Sequence, residues 1–84
     1  MSNELVLDTR ELEAPEPMGL VLQNLSNLNA TTYIKMIHRI EPLMLYTHLE
    51  ENNINYKVSF KDDDVMIYIW DRTFKNQDKF KDID

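Results

Sequence analysis

Apolar residues gather along this chain in two alternating kinds of segment. Residues 4–8 (ELVLD) are a short apolar run bounded by charge and predict a strand. Residues 9–14 (TRELEA) form a charged loop. Pro15 then suits a first helical turn, because its φ is already helical and its missing N–H has no partner there; Pro17 falls in the same turn. Met18, Val21, Leu22, Leu25 and Leu28 follow at helical spacing and predict one buried face, with Asn27 and Asn29 favouring a stop. Residues 31–38 (TTYIKMIH) are β-branched and aromatic, hence a second strand. Pro42 reads as the first residue of a second helix, with Leu43, Tyr46 and Leu49 on its core face, Leu45 beside them and a stop at Asn52 and Asn53. Residues 54–60 (INYKVSF) alternate with a period of two, Lys61-Asp62-Asp63-Asp64 is a turn, and residues 65–70 (VMIYIW) pair back as a hairpin.

The order β-α-β-α-β-β predicts an α+β two-layer sandwich. A right-handed parallel crossover joins the first two strands if they share a sheet, and the closing hairpin makes that sheet mixed. Two helices cannot cover both faces of four strands, so both are expected on one side. In the last strand Val65, Ile67 and Ile69 point one way, and Met66, Tyr68 and Trp70 the other. One set packs on the helices. The other either shields the open face together with Tyr33, Lys35 or Tyr56, or forms a contact patch of the Trp, Tyr and Met kind common in interfaces. Gly19, the one glycine, sits within the first helix, where close packing on the sheet would explain it.

Charge divides the chain. Residues 1–70 hold 11 acidic and five basic residues and account for the whole net charge of −6, while residues 71–84 balance to zero. The first segment is therefore the expected domain, and the second an expected polar tail, frayed or weakly helical, outside the core. A core of about 70 residues supplies only a few kcal/mol, so a partner or a homodimer would be a natural source of further stability. The acidic balance argues against nucleic-acid binding. There is no cysteine, which excludes disulfides and thiolate chemistry. No apolar run reaches the roughly 18 residues of a membrane span, and Met1-Ser2-Asn3-Glu4 does not open like a signal peptide. A cytoplasmic protein with no membrane partner is the expectation.

The stretch from Leu7-Asp8 through Ala14-Pro15-Glu16-Pro17-Met18 resembles the opening of the TusA/SirA-like proteins, in which a strand ending in Leu-Asp leads through a short loop to Cys-Pro-x-Pro at the first helix. The likeness covers about residues 4–70. It implies the same β-α-β-α-β-β fold and a setting in sulfur or redox metabolism. Where those sulfur carriers hold a persulfide on cysteine, this chain has Ala14, and no other residue supplies sulfur of that kind. The likeness therefore points to a cysteine-free branch of small bacterial and archaeal domains of unknown function. That branch shares a charged first loop with an arginine, here Arg10, and a His or Asp with a Pro between the second strand and the second helix, here His38 and Pro42.

In a parallel crossover, strand C-termini and helix N-termini meet at one edge. Asp8, Arg10, Glu13, Ala14, Pro15, Glu16, Pro17, His38, Arg39 and Glu41 are expected there. Arg10, Arg39 and His38 beside two helix N-termini could hold an anion. The plainer alternative is helix stabilisation by first-turn acids plus arginine–carboxylate pairs. His38 and His48 have no i, i+4 or HExxH spacing, so no metal site is expected, although His38 alone could sense pH or contact haem. Ser26 and Ser59 lack a nucleophile setting, glycine-rich phosphate loops are absent, and Asp62-Asp63-Asp64 lacks the glycine and terminal glutamate of a calcium loop. No catalytic set and no cofactor emerge. The expected function is a non-catalytic protein-binding module using either the sheet face at Met66, Tyr68 and Trp70 or the loop edge at Arg10 and His38. The alternative is a small-ligand or metal/redox-cofactor binder at His38.

Overall fold

A computed structural model describes residues 2–83. Its elements run β1 (Asn3–Asp8), α1 (Glu16–Asn24), β2 (Thr32–His38), α2 (Leu43–Glu51), β3 (Asn55–Lys61) and β4 (Asp64–Trp70), with short 3₁₀ turns at Leu25–Asn27 and Gln77–Phe80. The expected β-α-β-α-β-β order is the observed one. The sheet order is β1-β2-β4-β3; β1 and β2 are parallel and the other pairs antiparallel. The hairpin turns at Asp62, whose φ of 57° is left-handed and tolerable for Asp.

Alternation sorts the strands into two faces. Ile34 and Met36 of β2 and Val65, Ile67 and Ile69 of β4 pack with Val21 of α1 and Leu45, Tyr46 and Leu49 of α2 in one cluster, which puts both helices on the same side. Helix α1 is shorter than its apolar spacing suggests: it ends at Asn24, and the 3₁₀ turn carries Leu28 into the core. In α2 the core face is Leu45, Tyr46 and Leu49, whereas Leu43 is 65% exposed, because the helix begins only at Leu43 with Pro42 as its cap. The stop at the two asparagines is a Schellman motif. Asn53 takes φ 58°, the Ile54 N–H donates to the Leu49 carbonyl at 2.8 Å, and the Asn53 N–H donates to the Glu50 carbonyl at 3.2 Å. Tyr56 stacks on Tyr46 at 4.7 Å on the helix side and plays no part in shielding the open face.

Residues 71–83 depart most from expectation. Phe74 and Phe80 are each 2% exposed and, with Tyr33, form a second core on the open face of the sheet. Phe80 stacks on Trp70 at 4.1 Å and meets Tyr33 edge-on at 5.1 Å. The Lys75 N–H donates to the Ala30 carbonyl at 2.9 Å, and Lys79 Nζ lies over the Tyr33 ring at 4.3 Å. The tail is therefore a folded cover, held because the open face presents more aromatic area than polar strand partners can shield. Gly19 also differs from expectation: a Cβ placed there meets nothing within 4 Å, so close packing is not its reason.

Candidate functional site

The residues expected at one edge divide into two places. Arg10 closes a clasp on the open-face side. Its Nε donates to Asp8 Oδ1 at 2.9 Å, its Nη2 to Asp8 Oδ2 at 2.7 Å and its Nη1 to Asp64 Oδ2 at 3.2 Å. The Arg10 hydrogen bonds hold the Asp8 carboxyl down at about 2, and the same bonds raise the Arg10 guanidinium. Arg39 is engaged as well, donating to the Leu12 carbonyl at 3.1 Å with Glu13 at 3.7 Å. Neither arginine stands ready for an anion.

The second place is a cavity of about 280 Å³ where α1 and α2 begin. Ala14, Pro15 and Pro17 line it from the α1 side, His38 and Glu41 from the end of β2 and the loop beyond it. Met18, Ile40, Pro42, Leu43, Met44 and Leu45 complete the lining. Glu13 and Glu16, exposed, flank the α1-side lining residues in sequence without lining it. Three large apolar residues at this cavity are largely uncovered: Ile40 at 67%, Leu43 at 65% and Met44 at 71%. Ala14 is exposed and lines the cavity beside them.

His38 is the one buried titratable residue of this edge, at 5% exposure. Its Nδ1 lies 3.1 Å from the Thr9 carbonyl and 3.0 Å from Thr9 Oγ1, whose own proton goes to the Ile37 carbonyl at 2.9 Å. A carbonyl only accepts, so Nδ1 carries the ring proton and in the neutral ring Nε2 carries the lone pair. Nε2 has no hydrogen-bond partner among the described residues, and it is not among the sealed, unpartnered polar atoms, which are the Tyr46 hydroxyl and Trp70 Nε1. His38, a lining residue of the cavity, thus has one uncommitted acceptor in its neutral form, Nε2. His48 lies in α2 outside this lining, and no group of three or more His, Cys, Asp or Glu residues suited to a metal ion occurs among the described residues.

The sheet face named from the sequence, Met66, Tyr68 and Trp70, is partly covered by the chain itself. Trp70 lies under Phe80, and Tyr68 is 5.9 Å from the same ring, so the aromatic half of that face is filled by the chain's own tail. Only the half around Val6, Ile37 and Met66 is left beyond the tail's second core.

Sequence reasoning missed Thr9, Met18, Ile40, Leu43 and Met44. A signal existed for two of them: Leu43-Met44-Leu45-Tyr46 is four apolar residues in a row, and a helix can bury only part of such a run. Thr9 gave none, since its role depends on the parallel register that brings it to Ile37 and His38.

Fold and site together define a small α+β two-layer domain with an apolar cavity at its helix N-termini and one buried imidazole in the cavity lining. The chain belongs to the family of uncharacterized conserved proteins designated DUF2249, whose family model matches residues 6–71. Comparisons with curated proteins and with solved structures each returned no match.

Proposed function

We propose that this domain is a non-catalytic protein-binding module, built on a TusA-like scaffold without the sulfur-carrier cysteine, and that it engages its partner through the helix-N-terminal edge. The observation that carries this reading is the trio Ile40, Leu43 and Met44, largely uncovered around an apolar cavity. Apolar groups clustered in this way at a concave site are rarely left unused. The other candidate face is already half covered from within. A photo-crosslinking residue at position 44 tests the reading in native lysate. A discrete adduct is expected that disappears with Leu43→Glu and persists with Val6→Glu, a control on the open face. An adduct indifferent to Leu43→Glu removes the edge as the interface.

One observation favours a second reading, a small-ligand or metal/redox-cofactor binder: His38 lines the cavity and its Nε2 has no hydrogen-bond partner among the described residues. Titration with haem, iron, zinc and oxyanions, followed by thermal shift, separates it from the first. A saturable shift abolished by His38→Ala supports it, and flat titrations dismiss it.

A further inference from the structure

We infer that the cavity receives one aromatic side chain bearing an N–H or O–H donor, presented by a basic segment of the partner. This rests on the protein-binding reading above and names the chemistry of what is bound.

About 280 Å³ lies just below the range for whole small-molecule sites, roughly 300–1,000 Å³, and so suits a single bulky side chain. The walls come next. Pro15, Pro17, Pro42 and Leu45 offer fixed apolar surface, while Met18 and Met44 offer thioethers that adapt to a ring and favour its edge. His38 then sets the polar requirement. With Nδ1–H committed to Thr9, the neutral ring presents only an acceptor at Nε2, and the residue is more than nine-tenths buried. An aliphatic occupant would strip solvent from that acceptor and give nothing back, whereas an indole N–H or a phenol O–H satisfies it. Charge sets the flanks. Glu41 lines the cavity and Glu16 adjoins its lining residues in sequence, while the one local arginine, Arg39, is already engaged by Glu13 and the Leu12 carbonyl. Lysine or arginine beside the aromatic anchor meets that acidic rim, and acidic flanks are repelled.

Fluorescence anisotropy of the full chain with labelled pentapeptides tests the inference. The probe is Lys-Lys-Trp-Lys-Lys. Its comparators replace Trp by 3-benzothienylalanine, in which sulfur stands for the indole N–H at nearly the same volume, replace Trp by leucine, or replace every lysine by glutamate. Saturable binding of the Trp peptide is expected, weakened about tenfold by benzothienylalanine and lost with Met44→Glu, an exposed position that does not threaten folding. Leucine and glutamate-flanked peptides are expected to bind more weakly than the probe. Equal affinity for Trp and benzothienylalanine, equal affinity for the leucine peptide, or no binding of the Trp peptide overturns the inference. If the position-44 adduct still vanishes with Leu43→Glu in any of those cases, the edge remains a protein interface and only the aromatic anchor is refuted. Loss of that pattern too refutes the interface itself.

Discussion

At the scale of single residues, the Asp8–Arg10–Asp64 clasp and the Thr9–His38 pair have opposite characters. The clasp is exposed, and such pairs contribute little to stability in water. Its signature is a titration. A carboxyl held at about 2 stays charged where an ordinary Asp is half protonated. Because the folded value lies below the unfolded one, whatever stability it contributes is present above about pH 4 and is lost as pH falls toward 2. In Arg10→Ala, the Asp8 carboxyl observed by NMR should return to the ordinary Asp range. His38 is buried, so removing its partner has a different consequence. Thr9→Val leaves the imidazole Nδ1 with only a backbone acceptor, and a loss of roughly 0.5–1.5 kcal/mol in chemical denaturation is expected. Gly19 makes the reverse case. It lies inside α1 at a negative φ with open space where a methyl would go, so Gly19→Ala should raise stability by about 0.5–1 kcal/mol.

Among elements, the residues that bury the sheet were mostly readable, and the reason is periodicity. Val65, Ile67 and Ile69 alternate, and Val21, Leu45 and Leu49 fall on helical faces, so their burial follows from local pattern. The segment after Trp70 was not readable in that way. Its two phenylalanines stand six residues apart in a polar stretch with no period, and only the excess aromatic surface across β2 and β4 gives them a place. Replacing Phe80 by Ala should destabilise the molecule by about 3–5 kcal/mol, as for other buried phenylalanines. The tail is also tied to proton chemistry. Burial, and the hydrogen bond to Glu4, push the Tyr33 phenol up to about 12, and Lys79 donates to the same oxygen at 3.1 Å. With the folded value above the ordinary one, the stability linked to the Tyr33 phenol is fully present below about pH 10 and is lost as pH climbs through 12. Stopped-flow pH jumps read on Trp70 emission should show an alkaline transition that moves in Tyr33→Phe.

For the whole molecule, the candidate site illustrates what a one-dimensional reading can reach. The edge itself followed from topology, since β1 and β2 are parallel and helix N-termini gather where such strands end. Its internal division did not. Asp8 lies on one face of β1 and His38 on the other face of β2; alternation puts Asp8 on the Asp64 side, where Arg10 bridges the two, and leaves His38 among the cavity's lining residues. Of the exposed trio, Ile40 in the loop before α2 gave no signal, while the run from Leu43 signalled more apolar surface than one helix face buries without showing which residues stay uncovered. No helix among the described residues is long and apolar enough to cross a membrane.

The docked tail also determines what light can report. Trp70 is the molecule's sole indole, and it lies beneath Phe80 on the side of the sheet away from α1 and α2. Its emission is thus a private gauge of whether residues 71–83 are seated. That glow follows unfastening of the cover in the free protein or beside the leucine peptide, whereas a Trp-bearing visitor brings an indole of its own and is counted by its dye.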